Sequence, residues 1–203
     1  AIESSDYFYL LTSLLESADK YANTTGVYGA FLKKFSGRTS QVFQLQPAMI
    51  VNGPPGKCYN EDANKVITKI SGDILYLDPP YNSRQYGSNY HILNYIINHK
   101  PINFSINKEN AESKTGLSKD YNKSQYSKKN EVALALAELL NNSTHFPWVF
   151  MSYNDEGLLS NEKIKLIFEQ YGEYSLTTQN HKRYNSNDGK NKRKSVVEQL
   201  HIL

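Results

Sequence analysis

One cysteine, Cys58, stands in 203 residues, which excludes an internal disulfide and a multi-thiolate metal centre; a reducing, cytoplasmic location is the expectation. No apolar run approaches the roughly 18 residues that a membrane helix needs, and no basic-then-apolar leader opens the chain, so neither export nor membrane insertion is expected. The Gly-x-x-x-x-Gly-Lys-Ser/Thr pattern is missing, which leaves nucleotide hydrolysis by a phosphate loop without support. No internal repeat is present, and no metal site is expected.

What is present suits one sizeable core: 39% of the residues are hydrophobic and 21% charged, which fits one compact domain better than two. Sixteen tyrosines and abundant asparagine admit two readings, a wet surface that stacks and hydrogen-bonds or a codon bias of the source genome. Lys plus Arg number 23 against 20 for Asp plus Glu, and the surplus is uneven. His181-Lys182-Arg183-Tyr184, followed by Lys190, Lys192, Arg193 and Lys194, faces only Asp188, a distribution suited to a polyanionic partner. The chain opens on Ala1 and runs straight into an amphipathic pattern, so a preceding part of the protein is expected.

Leu10, Leu11, Leu14, Leu15 and Ala18 recur at helical spacing within residues 7–21, behind Ser5 or Asp6 as a cap. Residues 27–35 suggest a second short helix, Val42, Phe43 and Leu45 a strand, and 60–70 a further helix. The run 73–78, carrying Ile74-Leu75-Tyr76-Leu77, reads as a central parallel strand covered on both faces. Helices are expected over 90–98, 131–140 and 162–169, and strands over 148–153, 174–178 and 196–203, the last two able to pair as a hairpin. Residues 104–130 are polar, lysine-rich and without period, which predicts a long loop. The alternation predicts a three-layer α/β fold, with a helical segment over 1–57 ahead of the core over 58–203.

The sharpest signal is Asp78-Pro79-Pro80-Tyr81, set directly after the strand, where open parallel sheets collect their ligands. Asp78 offers a carboxylate, the prolines fix the backbone and leave the Pro79 carbonyl free to accept, and Tyr81 supplies a ring for stacking on a base. Two acceptors facing one exocyclic amine hold both its protons and turn its lone pair towards an incoming methyl group. The bland alternative is a strand ended by a capping acid and a rigid turn.

At these residues the chain resembles the adenine-specific DNA methyltransferases related to the Dam enzyme and to bacterial type II modification enzymes. The resemblance matches the family's catalytic motif in Asp78-Pro79-Pro80-Tyr81, and the continuation Asn82-Ser83-Arg84-Gln85-Tyr86-Gly87-Ser88-Asn89-Tyr90-His91 looks like one branch of it. It implies a Rossmann-like, doubly wound and mostly parallel sheet, present here in part, with a C-terminal antiparallel hairpin. It also implies target recognition or the cofactor side for the helical segment 1–57 and catalysis for the core 58–203. It implies double-stranded DNA as partner and S-adenosylmethionine as methyl donor, held by Asp78 and by Asp62 of Asn60-Glu61-Asp62-Ala63. Ser152-Tyr153-Asn154-Asp155-Glu156-Gly157-Leu158 resembles the end of the next core strand, beside the target pocket, and 181–200 the closing hairpin with its basic turn near DNA. The family's Phe-x-Gly-x-Gly loop, and the later acid for the ribose, are absent from these residues. That agrees with a chain that begins partway through the enzyme and needs an N-terminal half as partner.

Arg84 suits a phosphate, Gln85 or Asn89 a base edge, and Tyr86 the pocket mouth; Lys182, Arg183, Lys192 and Arg193 suit the DNA backbone. His91 is open between a structural and a functional role. A zinc deaminase, which also handles an adenine amine, lacks its paired cysteines here. A two-metal nuclease built on Asp62, Asp78, Asp155 and Glu156 leaves the prolines and the stacking ring unexplained. Two further readings stay open: a catalytically silent DNA-binding fragment, and transfer to N4 of cytosine, against which the acid at Asp78 argues.

Overall fold

A computed structural model describes residues 4–24, 26–29, 32–35, 37–98, 121–182 and 195–203, and of Lys182 its main chain only. The chain forms two compact units, one of residues 1–56 and 86–122, the other of 57–85 and 123–203.

In the first unit, α1 spans Ser4–Tyr21. Ser5 and Asp6, expected as caps, lie inside its first turn. Its buried positions are Ser13 and Ser17, while Leu10 and Leu14 are exposed. The reason is a hydrogen-bonding partner: Ser17 Oγ accepts from the Gln46 N–H and Ser13 Oγ from the Ala48 N–H, both at 2.9 Å. The segment expected as a strand around Val42, Phe43 and Leu45 therefore lies without strand partners, its continuation bonded to serine hydroxyls. No helix forms among the described residues of 27–35, because Asn23 closes a loop instead. Its carbonyl takes the Leu32 N–H at 3.0 Å and its Nδ2 donates to the Leu32 carbonyl at 2.9 Å. Gly26 adopts φ +96° there, which a side chain would strain. The helix expected over 90–98 is α4, His91–Ile97, preceded by a single turn α3, Tyr86–Asn89. Gly87 lies against Tyr121 so closely that a Cβ would meet that side chain at 2.7–2.9 Å.

The second unit is a mixed α/β body around a four-stranded sheet in the order β1-β2-β4-β3. The strands are β1 Ile74–Leu77, β2 Trp148–Asn154, β3 Ser175–Lys182 and β4 Ser195–Ile202. β1 and β2 run parallel, whereas β4 runs antiparallel to both β2 and β3. Within this chain the sheet is thus partly rather than mostly parallel, because the hairpin β3–β4 inserts its second strand beside β2.

Helices α2 Ala63–Val66, α5 Val132–Asn141 and α6 Asn161–Phe168 accompany the sheet. Val132, Ala135, Leu136, Leu139 and Leu140 recur along one face of α5, and all are buried. Val132, Leu136, Leu139 and Leu140 meet Ile164, Ile167 and Phe168 of α6 and the inward side chains of the strands, Leu75, Val149, Met151 and Tyr153, in one core. Burying each large aliphatic group there contributes roughly 1.5–3 kcal/mol.

The opposite face of the sheet carries Ile74, Tyr76 and Trp148, exposed by 61%, 60% and 54%. Among the described residues β1 thus lies at the edge of the sheet with one bare face, whereas its apolar run predicts a strand covered on both. Alternate side chains point to opposite faces of a strand, and among the described residues the helices of this unit pack on the face of Leu75, Val149, Met151 and Tyr153. The polar stretch ahead of α5 is more regular than a loop: a 3-10 turn, Gln125–Ser127, capped by the Ser124 side chain, leads almost directly into the helix. Residues 99–120 lie outside the described residues. No helix among the described residues is long and apolar enough to cross a membrane.

Candidate active site

β1 ends at Leu77, and the next residues leave the sheet at the end where the parallel strand β2 also finishes. Asp78 is exposed, Pro79 and Pro80 are half-buried, and Tyr81 is 39% exposed. Among the described residues no hydrogen bond is made to the Asp78 carboxylate or the Pro79 carbonyl. Two acceptors therefore stand open at the rim beside an accessible ring, an arrangement able to grip an amine and stack on its base.

The loop is held by its backbone rather than by those groups. The Tyr81 carbonyl accepts from the Leu158 N–H at 2.8 Å and, at 3.5 Å, from the Tyr153 hydroxyl. The rings of Tyr81 and Tyr153 meet edge to face with centroids 6.4 Å apart. Tyr153 is buried at the end of β2, and its oxygen also accepts from the Leu159 N–H at 3.4 Å. Burial pushes its phenol above the ordinary tyrosine value, offset in part by the Leu159 and Leu158 N–H groups. Gly157 lies so close to this ring that any Cβ would overlap it. Asp155 turns to the neighbouring strand, its carboxylate accepting from the Val197 N–H at 3.0 Å.

Downstream, Asn82 Oδ1 accepts from the Arg84 N–H at 2.9 Å, a local turn that leaves Arg84 exposed. Gln85, expected to read a base edge, has both ends of its carboxamide engaged with one residue. It donates to the Ser124 carbonyl at 3.2 Å and accepts from the Ser124 N–H at 2.8 Å. That contact makes it a structural clamp in this structure. Tyr86 and Asn89 belong to the other unit: Tyr86 is 57% exposed and edge-on to Tyr90, and the Asn89 carbonyl takes the Tyr28 N–H at 2.8 Å. His91 is buried with Nδ1 2.8 Å from the Ser88 carbonyl, a structural placement.

Asp62 is exposed and caps α2, accepting from the Asn64 N–H at 2.9 Å with one oxygen. Its other oxygen has no donor among the described residues, which fits an acceptor for an adenine amine. The basic positions Arg183, Lys192 and Arg193 and the Lys182 side chain lie outside the described residues. The feet of their hairpin, Lys182 and Ser195, pair with each other, and β4 begins beside the end of β2. Both feet thus stand at the sheet end from which Asp78 emerges. Lys128, in the lysine-rich stretch, is paired with Glu131 at 2.9 Å. Among the described residues no group of three His, Cys, Asp or Glu is placed to hold a metal ion.

The family model for D12 class N6 adenine-specific DNA methyltransferases matches residues 1–185. The chain belongs to this family. It is 43% identical over 206 residues to the type II methyltransferase M.NlaIII of Neisseria lactamica, covering 100% of this chain and 59% of that protein. The type II methyltransferase M.CviAII of Paramecium bursaria Chlorella virus 1 is 39% identical over 90% of the chain and 53% of its own length. For the modification methylase StsI of Streptococcus sanguinis the figures are 38%, 82% and 24%. The chain thus spans 59% or less of the length of each of these relatives. No solved structure matches it.

Tyr153 and Gly157 lie in the segment 152–158 that the resemblance sets beside the target pocket; Ser124 was the contributor sequence reasoning missed, its only signal being a serine able to cap the short turn that follows it.

Proposed function

We propose that the complete protein is a modification enzyme that transfers a methyl group from S-adenosylmethionine to N6 of adenine within a short site in double-stranded DNA. The observation that carries this is the pair of open acceptors, Asp78 and the Pro79 carbonyl, three and two residues ahead of the partly exposed Tyr81, in a member of the D12 family. Asp78 and Pro79 hold the two amine protons, Pro80 stiffens the turn, and Tyr81 stacks on the extruded adenine. S-adenosylmethionine would supply an electrophilic sulfonium methyl, so no covalent enzyme intermediate is required. Asp62 would accept from its adenine amine and Asp78 would border it. A Phe-x-Gly-x-Gly loop is absent from these 203 residues, so we assign the methionine end of the site to a part of the protein outside them.

The same reasoning extends the fold. The edge of β1 and the face carrying Ile74, Tyr76 and Trp148, unpaired and bare among the described residues, support a doubly wound sheet that continues past β1 with more strands and a second helical layer. Arg84, Tyr86 and Asn89, with Lys182, Arg183, Lys192 and Arg193 around the hairpin turn, would meet DNA in the cytoplasm. Arg84 and the hairpin cations would neutralise phosphates, which positions the duplex without reading it.

Mass analysis of nucleosides from DNA treated with the complete protein tests this reading. N6-methyladenine is the expected product; methylcytosine without methyladenine would refute it.

A further inference from the structure

Between the segment that carries Asp62 and the loop that carries Asp78 and Tyr81 stands the short turn 124–127, and it is bonded to both. On one side the Tyr126 hydroxyl donates to Asn64 Oδ1 at 2.7 Å. Asn64 Nδ2 donates in turn to Glu138 Oε2 at 2.9 Å and to the Ala135 carbonyl at 3.0 Å, while its N–H binds Asp62. On the other side Gln85 pairs with both main-chain groups of Ser124, and the Ser127 hydroxyl donates to the Arg84 carbonyl at 3.3 Å. The turn is itself fixed, since Ser124 Oγ accepts from the Tyr126 N–H at 3.2 Å and the Tyr126 ring packs on the core. An unbroken hydrogen-bonded path therefore runs from Asp62 through Asn64, Tyr126 and Ser124 to Gln85 and Arg84, four and three residues from Tyr81.

We infer that the 124–127 turn is a positioning bracket, with Tyr126 as its pivot, that keeps the Asp62 segment and the 78–85 loop in one rigid frame. The inference rests on the methyltransferase reading for its purpose. A methyl donor gripped by one segment and an amine gripped by the other must approach in line, and a displacement of about 1 Å costs on the order of 100-fold in rate. Neither segment has long secondary structure to hold it: α2 is four residues and β1 four. The bracket supplies the missing stiffness. The Tyr126 phenol is pushed above its ordinary value by burial and then by the Asp62 and Glu138 carboxylates, so it stays protonated and donating. Tyr126 and Gln85 are positioning residues in this scheme and touch neither substrate.

Two substitutions in the complete protein test it, read by amide hydrogen exchange and by titration with S-adenosylmethionine. Tyr126→Phe removes one hydroxyl and keeps the ring; Gln85→Ala removes the opposite anchor. Each variant is expected to raise exchange in both 62–67 and 81–85, and Tyr126→Phe to weaken S-adenosylmethionine binding roughly 5- to 10-fold, the size of one lost hydrogen bond. Exchange that rises only in the segment touching the substituted residue overturns the bracket, and so does Tyr126→Phe binding equal to a saturable wild-type titration. If both segments loosen together but the wild-type protein binds no S-adenosylmethionine, the bracket stands and the assignment of Asp62 to the methyl donor falls.

Discussion

The buried Tyr153 stands edge-on to Tyr81, ring centroids 6.4 Å apart, with its hydroxyl 3.5 Å from the Tyr81 carbonyl. A residue at the end of one parallel strand thus supports the loop that leaves the end of its neighbour. Tyr153→Phe is expected to cost about 1 kcal/mol of stability and, under the proposed stacking role of Tyr81, to lower turnover more than DNA affinity, because that ring loses its brace. Gly157→Ala is expected to be worse, on the order of 1–3 kcal/mol, since the methyl overlaps the Tyr153 ring. Urea midpoints together with single-turnover rates check both.

Arg84 is exposed, with its own N–H held by Asn82 and its carbonyl by Ser127, so the main chain is set while the guanidinium is presented outwards. Arg84→Ala is expected to weaken binding of any duplex about equally and to reduce the slope of log affinity against log salt by roughly 1. Binding isotherms at several salt concentrations measure it. An unchanged slope removes Arg84 from the phosphate contacts.

His201 is fully buried on β4 with Nδ1 2.9 Å from the Tyr174 hydroxyl and Nε2 without a partner among the described residues. Desolvation depresses its pKa from 6.5 to about 4. The unfolded chain then binds a proton between these values while the folded protein does not. Its stabilising contribution is complete above pH 6.5 and is lost as the pH falls towards 4. The steepest slope is about 1.4 kcal/mol per pH unit. His201→Gln is expected to flatten this part of the stability profile between about pH 7 and 5, measured by urea unfolding against the wild type. Parallel profiles for the two proteins would contradict it.

The strands and helices around the active loop were legible wherever one period dominated. The α5 repeat at 132, 135, 136, 139 and 140 and the apolar run of β2 each allowed one solution. The first unit was less legible because its contacts are polar: Ser13 and Ser17 bury against a backbone, and Asn23 closes a loop where a helical pattern began. Periodicity carries no information about a serine that exchanges solvent for a distant N–H. Likewise Asp78 to Tyr81 stand out as a tetrapeptide directly after a strand, whereas no pattern in the sequence pairs Gln85 with Ser124, 39 positions away.

The most direct test of the account is single-turnover methyl transfer by Asp78→Ala in the complete protein. Because the carboxylate is exposed and unbonded among the described residues, stability should change by no more than about 0.5 kcal/mol. Duplex binding should persist while the rate falls by about 100-fold or more, the scale of losing a preorganised group at the reacting atom. A variant that still transfers the methyl within a few-fold of wild type would show that the carboxylate does not grip the amine.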